Sequence, residues 1–104
     1  MTSTIDRLWR LEEFADKIGQ EFVVGFDDGT TYVLKLTHAE ALSMRGAHPN
    51  IPRPPFSLSF ASEDERVMQQ NMYPLYNEAL GEVFVFLVPS GKDKKGVYYE
   101  ATFN

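Results

Sequence analysis

The chain contains no cysteine among its 104 residues. A disulfide framework and a thiolate metal site are therefore excluded, and nothing ties the protein to an oxidising compartment. Positive charge is also scarce, with ten Lys and Arg against fifteen Asp and Glu and a net charge of −5. Neutralising a phosphate backbone takes clustered cations, so nucleic acid is not an expected partner, and the acidic balance serves solubility. No apolar run is long enough to span a membrane. Residues Met1 to Arg7 show neither a charged head followed by an apolar stretch nor a small-residue cleavage site, so a cytoplasmic protein without leader or anchor is expected.

The means for chemistry are equally thin. The two histidines, His38 and His48, lie beside or within a loop, and an acyl-transfer site needs a nucleophile with such a base in reach. His38 and Glu40 offer two metal ligands at most, and no cysteine is there to complete a site. Asp27 and Asp28 lack the alternating spacing of a calcium loop and suit a tight turn for backbone reasons. No phosphate-binding glycine loop, dinucleotide fingerprint, helix-borne zinc motif or internal repeat occurs. No catalytic residue, cofactor or metal is expected.

What the chain has in quantity is aromatic and β-branched residues, eight Phe and five Tyr among them. Its length suits one domain spanning 1–104, large enough to bury roughly two-thirds of the surface of its unfolded chain. The organising stretch is Val83-Phe84-Val85-Phe86-Leu87-Val88, bounded by Gly81 and Pro89 and returning through Val97 to Asn104. Its length, boundaries and β-branching predict a strand, and the pair a hairpin. Both faces of this strand are apolar. One must meet the core, and the other must be covered by another element or another chain, because an exposed flat apolar strand templates aggregation.

Ahead of it, Ile5, Leu8, Leu11, Ala15 and Ile18 recur at helical spacing after a cap-like Ser3 and stop at Gly19. An amphipathic helix of about three turns is predicted, widened by Trp9 and Phe14 and serving as a lid on an exposed sheet face. Phe22 to Phe26 and Thr30 to Leu36 read as a second hairpin. A two-residue turn would set large apolar residues against small or charged ones. A three-residue loop with Gly29 left-handed pairs Val24 with Tyr32 and Phe22 with Leu34, and makes Phe22, Val24, Phe26, Tyr32, Leu34 and Leu36 one wall of the core. Thr37 to Met44 fits either a short helix or an extended segment. Residues 43–55 hold four prolines in seven positions and exclude regular structure. Arg45 and Arg53, with His48, make that loop locally basic, suited either to an anionic group or acidic partner or simply to a solvated crossover.

Phe56 to Ala61 alternates large apolar with small residues, the pattern of a half-buried strand. After an acidic turn at Ser62 to Glu65, Val67 to Leu75 suits an edge strand because of Pro74, and Tyr76 to Leu80 a connection. The tip of the last hairpin, Ser90 to Gly96, is basic and flexible. Lys92, Lys94 and Lys95 there either bind an anion or guard the flanks of a sticky strand.

The succession Phe56-Ser57-Leu58-x-Phe60, Gln70-x-x-Tyr73-x-Leu75, Leu80-Gly81, Phe86-Leu87-Val88-Pro89 and Tyr99-Glu100-Ala101-x-Phe103-Asn104 resembles a family of small bacterial domains without an assigned activity. Some members are encoded near tail-collar type proteins of phage-like particles, which implies a role in such assemblies. Asn71 departs from the pattern at a position where glycine is usual, and Pro74 and Asn77 are atypical.

The fold expected is mainly β: a six-stranded antiparallel barrel or strongly bent sheet built from hairpins, with one N-terminal helix packed on it. The function expected is a non-catalytic protein-interaction or assembly module whose partner is another protein or a second copy. The alternative is a small β-barrel that holds an apolar small molecule among its aromatic side chains.

Overall fold

In the computed structural model, residues 9–42 and 54–103 are described. Six strands follow one short helix, α1 (Glu12–Ala15): β1 (Glu21–Gly25), β2 (Thr31–Ala41), β3 (Phe56–Ser62), β4 (Asn71–Asn77), β5 (Gly81–Asp93) and β6 (Gly96–Phe103). All neighbouring strands are antiparallel, and the sheet curls into a ring in the order β1, β2, β3, β6, β5, β4. The ring closes where Val23 of β1 pairs with Tyr76 of β4.

The first hairpin has the expected register, Phe22 with Leu34 and Val24 with Tyr32. The Phe26 N–H bonds the Thr30 carbonyl, and Gly29 has φ of 88°, a conformation glycine adopts without strain. Five of the six wall residues are buried and Phe26 is half-buried. The ambiguous stretch after Leu36 is strand: β2 continues to Ala41, with a bulge at Thr37 that carries the pairing from Leu36 to His38. β3 alternates buried and half-buried residues along its whole length, as its sequence pattern requires.

The interior of the ring is filled by side chains in mutual contact. Phe22 meets Phe60 edge to face, Tyr32 meets Tyr99 likewise, and Phe56 stacks on Phe103 with 4.7 Å between centroids. Aromatic pairs in such geometries add about 0.5–1.5 kcal/mol beyond their burial. One end of the ring, where β1 and β3 begin and β6 ends, is stopped by Phe14. Its ring lies 5.6 Å from Trp9, 6.5 Å from Phe22, and 5.9 Å from both Phe56 and Phe103.

This arrangement corrects the expected three-turn lid. Within the described residues the helix is a single turn followed by a turn through Gly19, and Ala15 and Ile18 of the anticipated apolar face are exposed while Trp9 and Phe14 are buried. The ring mouth selects the largest rings rather than the residues at helical spacing. The segment plugs an end of the barrel-like ring and, among the described residues, does not cover the outer faces of β4 and β5. Ile5 and Leu8 lie outside the described residues.

The opposite end is crossed by residues 63–70, which are not strand; the expected Val67 to Leu75 strand instead runs from Asn71 to Asn77. Met68 turns inward and is buried, while Val67 faces solvent. A chain of hydrogen bonds fixes this cover. The Met68 N–H donates to the Tyr99 hydroxyl at 2.9 Å, the two tyrosine oxygens lie 2.7 Å apart, and the Tyr32 hydroxyl donates to the Arg66 carbonyl at 2.8 Å. Each phenol has one proton, so Tyr99 donates to Tyr32. Burial, with that donated bond second, pushes the Tyr99 phenol up.

Arg66 locks the same cover from outside. Its guanidinium donates to both carboxylate oxygens of Asp64, at 2.9 and 2.6 Å, and to the Thr31 carbonyl at 2.8 Å, and lies over the rings of Phe26 and Tyr32. Hydrogen bonds from the Arg66 side chain and backbone bring the Asp64 carboxyl from 3.8 down to about 2. A carboxyl depressed on folding stabilises the native state above its unfolded value and loses that contribution as pH falls through the folded one. Protease cleavage within 63–70 should accordingly rise as pH falls from about 4 towards 2, and Asp64→Asn should abolish that dependence by raising cleavage already at neutral pH.

Closure of the ring relies on a side chain where the backbone ladder is sparse. Asn77, 2% exposed, donates from Nδ2 to the Glu21 carbonyl at 3.0 Å and to Gln20 Oε1 at 3.2 Å, and its Oδ1 accepts the N–H groups of Ala79 and Leu80. The amide thereby ties the β4–β5 turn to the start of β1. Asn77→Ala should cost about 1–2 kcal/mol, because a buried amide that makes four part-buried hydrogen bonds is lost at once. Urea unfolding measures this, and a loss below about 0.5 kcal/mol would deny the closing role.

Candidate interaction surface

Strand alternation sends Val83, Val85 and Leu87 of β5 into the ring, where they are buried, and Phe84, Phe86 and Val88 outward. The same alternation in β4 buries Leu75 and turns Met72, Pro74 and Tyr76 out. Register makes these residues neighbours: Met72 lies opposite Phe86, Pro74 opposite Phe84, Tyr76 beside Val23, and Val23 opposite Val33. The result is a continuous apolar stripe across four strands. Tyr76 is 57% exposed, Met72 46%, Phe86 43% and Val33 40%. The second face of Val83 to Val88 is thus without an intramolecular cover among the described residues, since α1 packs at the ring end.

The β4–β5 turn carries Glu78, Glu82 lies opposite Tyr76 at the start of β5, and the other end of β5 and its tip carry Lys92, Lys94 and Lys95. That tip is shorter and more ordered than the expected loop from Ser90 to Gly96: β5 continues to Asp93, shifts register between Pro89 and Gly91, and β6 resumes at Gly96. Asp93 clasps the turn by accepting the N–H groups of Lys95 and Gly96 and the Tyr98 hydroxyl. The backbone bond from Lys95, followed by the Tyr98 hydroxyl, holds its carboxyl below the usual range.

The cationic candidates divide. Lys92 spends its ammonium on the Glu65 carbonyl at 3.2 Å, helping to hold the end cover. Lys94 and Lys95 border an open groove with Lys35, Ser62, Glu63 and Tyr98, which mixes both signs of charge and lies away from the stripe. Arg45, His48 and Arg53 lie outside the described residues. Among the described residues no group of three or more His, Asp or Glu could hold a metal ion, and no helix is long and apolar enough to cross a membrane.

Sequence reasoning found the β5 half of the surface and missed the β4 half. The signal was present, since Met72, Pro74 and Tyr76 alternate with the buried Leu75 by strand parity, but a strand begun at Val67 and ended at Leu75 hid it.

A family model described as a domain of unknown function, DUF6916, matches residues 9–103. The chain belongs to this family. The match takes in both end covers, all six strands and the whole stripe, so the surface lies within the family's domain rather than on an appendage to it. Searches of curated proteins and of solved structures return no significant match.

Proposed function

We propose that the chain is a non-catalytic assembly module that docks a protein neighbour on the outer face of β4 and β5. The observation that carries this reading is the apolar stripe from Val33 to Phe86 on the outside of a ring whose inside is already filled. A large apolar patch on a small domain marks an interaction site or an aggregation hazard, and both edge-forming strands of the patch are paired into the ring. The likeness to domains encoded near tail-collar type proteins supports the same reading, and a place in a phage-tail-like particle is the assembly it favours.

The test is solvent access to that face in the protein's native cell. Hydroxyl-radical oxidation of Met72, Tyr76 and Phe86 should be strong in the dilute purified chain and suppressed in the cell.

A further inference from the structure

We infer that the groove on the outside of β2, β3 and β6 binds an acidic segment of a partner protein, whose two carboxylates, about three residues apart, meet Lys35 at one flank and Lys94 and Lys95 at the other. This groove shares no residue with the stripe on β4 and β5, so either surface can fail without the other.

Charge reversal is the first support. Acids outnumber cations fifteen to ten in the whole chain, yet the groove, about 670 Å³ in volume, is lined by Lys35, Lys94 and Lys95 against the single acid Glu63. Elsewhere Lys17 pairs with Asp16, Arg66 with Asp64, and Lys92 bonds the Glu65 carbonyl. Among the described residues the ammonium groups of Lys35, Lys94 and Lys95 have no such partner, although register sets Glu21 opposite Lys35. Asp93, beside the tip, spends its carboxylate on the N–H groups of Lys95 and Gly96 and on the Tyr98 hydroxyl. It fixes the turn and pairs with neither ammonium. Like charges gathered around one groove repel, and an anion between them relieves that repulsion.

Spacing decides the kind of anion. Ala61 lies opposite Lys35 on one side and Tyr98 on the other, so the floor is a methyl group and the flanks stand two strand spacings, about 10 Å, apart. A single carboxylate or phosphate is too small to meet both. In an extended, polyproline-like segment, side chains three positions apart share one face at about 9 Å. Acids at that spacing match the flanks, and the half-buried Tyr98 gives the residues between them an apolar contact. The adjoining groove is bordered by Glu21, Glu63 and Asp64. A nucleic-acid strand or an anionic membrane, whose charge continues past the lysines, is repelled there.

The probe is a short Ser-Gly peptide carrying two aspartates three positions apart, titrated into the isotope-labelled full chain at low salt. The amide resonances of Lys35, Ala61, Ser62, Lys94, Lys95 and Tyr98 should shift saturably, and added salt should weaken the binding. Lys35→Glu and Lys94→Glu should each weaken it about fivefold, whereas Lys17→Glu, an equal change in net charge away from the groove, should alter it less than about twofold. Amide spectra unchanged elsewhere show that the variants fold, and Lys94→Gln, with a loss of about threefold, serves where a reversal disturbs the chain. Asparagine in place of both aspartates should abolish the shifts, and adjacent aspartates should bind more weakly.

No shift at about 5 mM peptide overturns the inference, as does equal weakening by Lys17→Glu, which reduces the effect to net charge. Inorganic phosphate giving the same shifts at the same concentration overturns it in favour of a simple anion site. An oligothymidylate that binds more tightly than the peptide overturns it in favour of a nucleic acid.

Discussion

Phe14→Ala should lower the stability of the chain by about 3–5 kcal/mol, the cost of emptying a fully buried aromatic site. The side chain has no exposed surface and touches Trp9, Phe22, Phe56 and Phe103. These come from the segment before α1, β1, β3 and β6, so its loss removes the stopper on which three strand ends converge. The surrounding strands cannot collapse into the gap because the closed ladder fixes their spacing, which places the cost at the upper end of the range. A domain of this size has only about 5–15 kcal/mol in hand, and the variant should be partly unfolded at physiological temperature. Urea denaturation followed by tryptophan fluorescence reports directly, since Trp9 is the sole tryptophan and lies in the same cluster. Ile18→Ala is the comparison: predicted by helical spacing to be core but about half-exposed in the structure, it should change stability by less than about 0.5 kcal/mol.

The second large effect is expected at Gly96. A Cβ there would lie 1.8 Å from the Ser62 carbonyl oxygen and 2.8 Å from its carbon, and the backbone has φ of 151°. The obstacle is the backbone of β3, which cannot swing aside as a flexible side chain would. Gly96→Ala must push β6 away from β3 at the Val97–Ser62 pair and strain its own backbone at the same time. A loss of at least about 3 kcal/mol follows, above the usual range for overpacking, where the neighbour can yield. Gly91, with nothing within 4 Å of the added carbon and no positive φ, should accept alanine with a change below about 1 kcal/mol. Equal behaviour of the two variants would mean that β3 and β6 do not approach as closely as described.

What was legible in the sequence was governed by short range. The Gly29 loop could be settled by side-chain parity because only one register puts Phe22, Val24, Tyr32 and Leu34 on one face. Phe56 to Ala61 and Val83 to Val88 declared their strands by alternation and by β-branching. What was not legible depended on partners distant in the chain. Helical spacing before Gly19 is a local rule, but burial there is decided by a ring mouth assembled from β1, β3 and β6, which admits Trp9 and Phe14. Met68 and Val67 are interchangeable by composition, and only the Tyr99 hydroxyl, 31 positions away, decides which turns inward. Asn77 looked merely atypical because its partners, Gln20 and Glu21, are more than fifty positions distant. Of the cationic candidates, Lys92 reads as an exposed charge until the end cover places the Glu65 carbonyl beside it. The apolar stripe was half visible, since one strand shows its own two faces, whereas continuity from Val33 to Phe86 exists only once four strands are in register.

Hydroxyl-radical footprinting in the native cell shows whether a protein neighbour covers the outer face of β4 and β5. In the dilute purified chain Met72, Tyr76 and Phe86 should oxidise readily and Met68, 6% exposed, slowly, as accessibility dictates. In the cell, oxidation of the three stripe residues should fall towards that of Met68, while His38, exposed on β2 away from the stripe, remains as reactive as before. Equal oxidation of Met72, Tyr76 and Phe86 in both settings would show the face bare in its working state and would contradict the account.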